Sequence, residues 1–342
     1  PKVAREGFSK PFQDQHDNQH DRWSQEKMDS RLTLTTAGAI LLAMSLASTA
    51  AAETITVCLD GSCDFTDPAA AAAVAVNGDV IEIAAGTYLL EETISFYGPS
   101  VHIRGAVDGK GRPATILDGQ GSVVVLSMVM LPQSNPRFEN IVITNGFGEY
   151  GGGMFLRDGT PVFENCVISG NHADIQGGGM FLNGGASPTF IGCEISGNTA
   201  AHPRFGSLGQ GGAAWISEGV VTLLDSEVSG NSAQSAGGGF GLSSSGEVVL
   251  NNSRICGNVA PGGPDSSQIA GAGTVTVVSG CVDESCDCVF IEPADLNGDN
   301  AVNGADLGLL LAGWGQPGPG DLNGDNTVGG ADLGLMLAAW SR

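Results

Sequence analysis

GGGMFLRDGTPVFENCVISGN (151–171) is followed by GGGMFLNGGASPTFIGCEISGN (177–198), and the pattern returns as GGAAWISEGVVTLLDSEVSGN (211–231) and GGGFGLSSSGEVVLNNSRICGN (237–258). The closing Asn171, Asn198, Asn231 and Asn258 stand 27, 33 and 27 residues apart. Each unit holds short β-rich runs between glycines, too short to form a propeller blade. A unit of this size cannot bury its own inner face, so the units must stack. The sequence therefore predicts an all-β parallel β-helix. Aligned columns support this: Phe163, Phe190, Leu223 and Leu250 form one, and Ile168, Ile195, Val228 and Ile255 another. Both are expected to point inward, with Val167, Glu194, Glu227 and Arg254 in an outward column.

The repeated Asn predicts a ladder of side-chain amides at the coil spacing of about 4.8 Å. We expect these Asn residues to take the left-handed turn conformation that Asn tolerates. Cys166 and Cys193 share a column with Ser226 and Ser253, a row of small residues filling a corner. His172, just after a ladder Asn, is expected to be a solvated turn residue. The longer interval carries the insertion AHPRFGSL (201–208), which makes His202, Arg204 and Phe205 a candidate ligand loop.

These repeats resemble the GGAI and FxxN repeats of chlamydial polymorphic outer-membrane proteins. NGDVIEIAAGTYLLEETISFYGPSVHIRGAVDGKGRPATILDGQG (77–121) resembles the opening coils of pectate-lyase-like right-handed β-helix proteins. That resemblance implies a short helix within DPAAAAAVAVNGD (67–79) capping the stack, and Asp67-Pro68 is a good helix start.

The ends of the chain read differently. RLTLTTAGAILLAMSLASTAAAET (31–54) has the apolar run and small residues of a secretory signal cleaved after Ala52. Residues 1–27 are polar, and Met28 stands where such a signal would start. We therefore read 1–27 as upstream sequence, 28–52 as signal peptide, 53–282 as β-helix, 283–292 as linker and 293–342 as a C-terminal module. A secreted or cell-surface protein follows, with no membrane span after signal cleavage. Six acidic and six basic residues precede Glu53, leaving 31 acidic against 8 basic of the chain's 37 and 14. Such a surface repels phosphates, which excludes nucleic acid as a partner. Export permits disulfides: Cys58 and Cys63 are expected to pair, and Cys256 is a candidate partner for one of Cys281, Cys286 and Cys288.

DLNGDNAVNGAD (295–306) returns as DLNGDNTVGGAD (321–332). Oxygen donors fall at the spacing of a calcium loop: Asp295, Asn297, Asp299, the Ala301 carbonyl, Asn303 and Asp306 in the first copy. The second supplies Asp321, Asn323, Asp325, the Thr327 carbonyl and Asp332, so two calcium ions are expected. Each loop runs into an apolar helical stretch, ADLGLLLAGW (305–314) and ADLGLMLAAW (331–340). Leu307, Leu310, Leu311 and Trp314 form one stripe, and Leu333, Met336, Leu337 and Trp340 the other, expected to pack together. This pair resembles a dockerin type I module, as in planctomycete-type exported proteins. The resemblance implies a small all-α calcium-binding domain that docks a cohesin-like or other surface protein. It places the docking positions at Gly304, Ala305, Gly330 and Ala331, which lack that family's usual hydroxyl pair.

No catalytic residue is assigned. The only basic residues between 113 and 341 are Arg137, Arg157, Arg204 and Arg254, and none sits in a lyase motif. The sequence reads as an exported, non-catalytic β-helix for surface assembly, adhesion or polysaccharide contact. The alternative is a polysaccharide lyase or glycosidase recruited by its tail, for which Asp225, Glu227 and Glu194 are the nearest carboxylates.

Overall fold

The computed structural model describes residues 52–261, 267–286, 294–297, 301–323 and 325–340. The expected upstream segment and signal peptide, Asp299 and Cys288 lie outside them. Within the described residues the chain winds as a parallel β-helix. One sheet stacks eight strands, from Gly86–Leu89 through Thr115–Asp118, Ile141–Thr144, Val167–Ser169, Glu194–Ser196, Glu227–Ser229 and Ser253–Cys256 to Gly280–Asp283. Every pairing in it is parallel, so each strand marks one turn of the coil.

The two sequence columns lie in register as expected. Phe163 pairs with Phe190, Phe190 with Leu223, and Leu223 with Leu250, and all four are fully buried. The column extends back to Phe138, so three phenyl rings stack at centroid distances of 4.8 and 4.9 Å. Burying each ring contributes roughly 1.5–3 kcal/mol, and parallel register lets identical residues fill the same slot in successive coils. Val167, Glu194, Glu227 and Arg254 occupy one outward column.

The Asn ladder forms, but not in the expected conformation. Asn171 Nδ2 donates to Asn198 Oδ1, Asn198 Nδ2 to Asn231 Oδ1, and Asn231 Nδ2 to Asn258 Oδ1, each at 2.9 Å. The left-handed residue is the glycine before each, with φ of 66° at Gly170, 64° at Gly197 and Gly230, and 61° at Gly257. The division is physical. Glycine takes positive φ without steric cost, and the following Asn can then aim its amide along the stack axis. A second left-handed column does use Asn and Asp: Asn140, Asn165, Asp225 and Asn252. A third glycine turn opens each repeat. At Gly177, φ is 71° and a Cβ would lie 2.0 Å from the Met180 carbonyl oxygen, so no other residue fits.

Cys166 and Cys193 are buried free thiols. Their column carries hydrogen bonds: Cys193 N donates to Ser226 Oγ and Ser226 N to Ser253 Oγ, both at 3.0 Å. Two strands, Ala214–Leu224 and Phe240–Asn251, run across two sides of the coil without a break.

Helix α1 (Pro68–Val74) starts at Asp67, whose side chain accepts from Ala69 N. It buries Ala69, Ala71 and Ala72 against the first coils, as the capping role requires. Cys58 is bonded to Cys63, and Cys256 to Cys286; Cys281 is disulfide-bonded too.

Helices α2 (Gly304–Ala312) and α3 (Gly330–Ala339) share a separate small core of Ala294, Leu310, Val328 and Met336. The expected stripes pack only in part. Leu307 and Leu333 are half-buried, while Leu311, Trp314, Leu337 and Trp340 remain exposed, as do Leu309 and Leu335. Two helices of this length meet over little more than one side chain each, which leaves the rest of both stripes in solvent.

Candidate functional site

The C-terminal loops are closed by the carboxylates at their last position. Asp306 accepts from Asn297 N at 3.1 Å and Asn303 N at 2.9 Å. Asp332 accepts from Leu322 N, Asn323 N and Gly329 N at 2.7, 3.0 and 2.6 Å. Desolvation acts to raise both pKa values, and these backbone donors outweigh it and hold both carboxyls below the usual range. In the second loop Asp321 accepts from Asp325 N and Asn326 N, and Asn323 Oδ1 from Asp325 N. Asn326 stands at φ 68°, the turn position at which such loops favour glycine.

Among the described residues no three His, Cys, Asp or Glu side chains gather as a metal centre. The donor chemistry nonetheless fits a hard cation, since Asp321, Asn323, Asp325, Thr327 and Asp332 offer only oxygens from one tight loop. Asp295, Asn297, Ala301 and Asn303 keep the same spacing in the first loop. Gly304 and Ala305, like Gly330 and Ala331, form the first turns of α2 and α3.

The insertion is a folded loop. It leaves the stack after Ala200 and rejoins at Gln210, which bridges Gln176 and Ala236 in the neighbouring coils. His202 Nδ1 accepts from Arg204 N and Phe205 N at 3.1 Å, and its ring lies 5.0 Å from that of Phe205, which is exposed.

The carboxylates named for catalysis are engaged elsewhere. Glu227 pairs with Arg254 at 3.4 Å, Glu194 accepts from Ser196 Oγ at 2.6 Å, and Asp225 sits in a left-handed turn accepting from Asn252. Charges also cluster around Glu139, which meets His102 at 3.1 Å, Arg104 at 3.3 Å and Arg137. Arg104 reaches on to Glu82 and Arg137 to Glu164, so the two arginines bridge carboxylates of successive coils.

A groove of about 430 Å³ was not legible in the sequence. It crosses three coils at one corner of the stack, lined by Asp118, Gln120, Asn145, Phe147 and His172 among others. His172 is not a turn residue: it opens the strand His172–Gln176 and pairs in register with Phe147. That register stacks the two rings with centroids 5.7 Å apart and planes 2° from parallel. His172 Nε2 lies 3.3 Å from Asp174 Oδ1, and Asn145 Nδ2 donates to Asp118 Oδ2 at 3.0 Å. Aligning Phe147 with His172, each two residues past a left-handed turn, is the sequence signal that would have found the pair. On a neighbouring side an outward row runs from Phe155 to Phe181 to Trp215, and Tyr150 meets Phe181 edge-on at 5.1 Å.

The right-handed β-helix region family matches residues 127–305, and the chain belongs to that family. Among solved structures, pectate lyase Pel9A is 18% identical, with 66% of this chain covering 62% of that one at a TM-score of 0.46. The chain thus spans less than two thirds of that lyase. The pectin methylesterase from Aspergillus niger is 18% identical over 67% of this chain and 85% of its own, at 0.39. The carrot pectin methylesterase is 14% identical over 65% and 82%, at 0.34. No curated protein sequence matches the chain. No helix among the described residues is long and apolar enough to cross a membrane.

Proposed function

We propose that this is an exported β-helix protein that contacts polysaccharide without cleaving it and docks onto a surface partner through a calcium-dependent tail. The observation that carries the docking part is the repeated exposed face of the tail. Leu311 on α2 and Trp314 just past its end stand one helical turn apart, as do Leu337 on α3 and Trp340 at its C-cap, and all four are exposed. An apolar patch repeated by internal symmetry marks an interaction surface. The protein partner, cohesin-like or other, would bind there, with Gly304, Ala305, Gly330 and Ala331 as further docking positions.

Calcium would be held by Asp295, Asn297, Asp299, Ala301, Asn303 and Asp306 in one loop, and by Asp321, Asn323, Asp325, Thr327 and Asp332 in the other. The ion would bind the loop oxygens and so fix the start of each helix. The non-catalytic part is supported by the engagement of Glu194, Asp225 and Glu227 in structural bonds. The His202, Arg204 and Phe205 loop remains a second candidate contact.

The test takes the full chain with calcium over pectin, alginate, xylan and cellulose, recording retention, unsaturated-uronate absorbance and reducing ends. Retention without turnover is expected. Turnover on any polymer would make the protein a lyase or glycosidase instead. Calorimetric titration should find two calcium sites per chain, reduced to one by Asp321→Ala.

A further inference from the structure

We infer that the groove between Asp118 and His172 binds a linear, uncharged glycan chain and discriminates against polyuronates. This rests on the reading of the protein as a polysaccharide-contacting β-helix and specifies where and what it contacts.

Three features point the same way. The groove follows the stack axis, lined in turn by residues of three successive coils: Asp118 and Gln120, then Asn145 and Phe147, then His172. Two coil rises span roughly 10 Å, since neighbouring strands lie about 4.8 Å apart. An axial groove of that length suits a short run of a linear polymer. Its volume of about 430 Å³ lies within the ordinary range for ligand clefts, roughly 300–1,000 Å³.

The lining combines both halves of a pyranose's chemistry. The Phe147 ring, more than a third exposed and parallel to that of His172, offers an apolar surface to the C–H face of a sugar. The Asp118 carboxylate and the Asn145 amide, already bonded to each other, offer polar atoms to the hydroxyls around the ring edge. Aromatic contact with a few placed polar groups is the pattern of a site for an amphipathic ligand.

Charge decides the class. Among the described residues no Arg or Lys lines the groove, while Asp118 lies in it and Asp174 stands against the His172 ring. The chain as a whole carries a formal net charge of −23. A uronate carboxylate would enter this field with no Arg or Lys to meet it, and a neutral hexose or pentose polymer enters without that cost.

The experiment measures affinity of the full chain for soluble xylan, a neutral β-glucan, polygalacturonate and alginate by affinity electrophoresis. The wild type should bind a neutral polymer at least tenfold more tightly than either polyuronate. Phe147→Ala should weaken that binding about tenfold, equivalent to about 1.4 kcal/mol, whereas Phe147→Trp should retain it. Unfolding midpoints of both variants are measured alongside, so that a folding defect is separated from a lost contact. Wild-type retention with Phe147→Ala and Phe147→Trp both unchanged would overturn the groove assignment and leave the broader polysaccharide reading standing. Tighter binding of a polyuronate would overturn the assigned ligand class. Retention of the wild type by no polymer would overturn the broader reading and this inference together.

Discussion

Replacing Asn198 by Ala should cost this protein more than any surface change, because its amide is a rung of the interior ladder. The side chain is fully buried and makes four hydrogen bonds. Its Oδ1 accepts from Asn171 N at 3.1 Å and Asn171 Nδ2 at 2.9 Å, and its Nδ2 donates to the Ile168 carbonyl and to Asn231 Oδ1, both at 2.9 Å. After truncation Asn171 Nδ2 keeps the Ile143 carbonyl, and Asn231 Oδ1 keeps the Asn198 backbone N–H. The Asn171 backbone N–H keeps no such substitute side chain. Stranding it costs about 1–3 kcal/mol, and the three other bonds lost around it about 1 kcal/mol each, for a total of about 4–6 kcal/mol. Urea unfolding followed by far-UV circular dichroism reads this directly, provided the m-value is unchanged. A loss below about 1 kcal/mol would refute the reasoning, since water would then be replacing the amide inside the stack. Asn198→Asp is a sharper variant: at neutral pH it retains the acceptors but turns a carboxylate toward two oxygens, and it should be less stable than Asn198→Ala.

Four further outcomes are expected. Gly177→Ala forces a Cβ against the Met180 carbonyl at positive φ and should destabilise by more than about 2 kcal/mol in the same urea assay. For Glu139, burial acts to raise the pKa, but Arg137, His102 and Arg104 together hold it below its ordinary value. Its contribution is therefore full above about pH 4.3 and lost as pH falls through the lower folded value, so acid should lower the urea midpoint of wild type more than that of Glu139→Gln. Removing the Cys256–Cys286 link with Cys256→Ser and Cys286→Ser together opens a loop of 30 residues and should cost about 3–4 kcal/mol by chain entropy, read as a fall in thermal midpoint. Chelating calcium should raise protease cutting within 294–340 while leaving the β-helix dichroism intact; simultaneous loss of both would contradict independent folding of the tail.

Much of the stack was legible because a solenoid writes its neighbours into the sequence. A residue's partner one coil away recurs near a fixed interval, so Phe163, Phe190 and Leu223 could be aligned before any coordinates, and Ile168, Ile195 and Val228 likewise. The same logic exposed the amide ladder and the Cys166–Ser253 column. The helix cap was readable from Asp67 and Pro68, because capping is local. The assignment of positive φ to the ladder Asn residues missed their preceding glycines. Both residue types tolerate that conformation, and only the backbone shows which one uses it.

The C-terminal helices show where periodicity stops short. Their apolar spacing predicted packing of Leu311, Trp314, Leu337 and Trp340, yet two short helices cover only Leu310 and Met336 completely. Sequence shows which side chains share a helix face; how much of that face a neighbour covers depends on crossing geometry. The groove is the same lesson at a corner of the stack. Asp118, Asn145, Phe147 and His172 belong to three coils, and no single repeat contains them. By itself the sequence determined the coil, its inward columns and the repeat of oxygen-bearing side chains in the terminal loops, because each follows from local pattern or fixed repeat distance. Only the tertiary structure decided which turns align to open a groove and which apolar side chains stay in water, because both depend on distances between elements that sequence spacing does not encode.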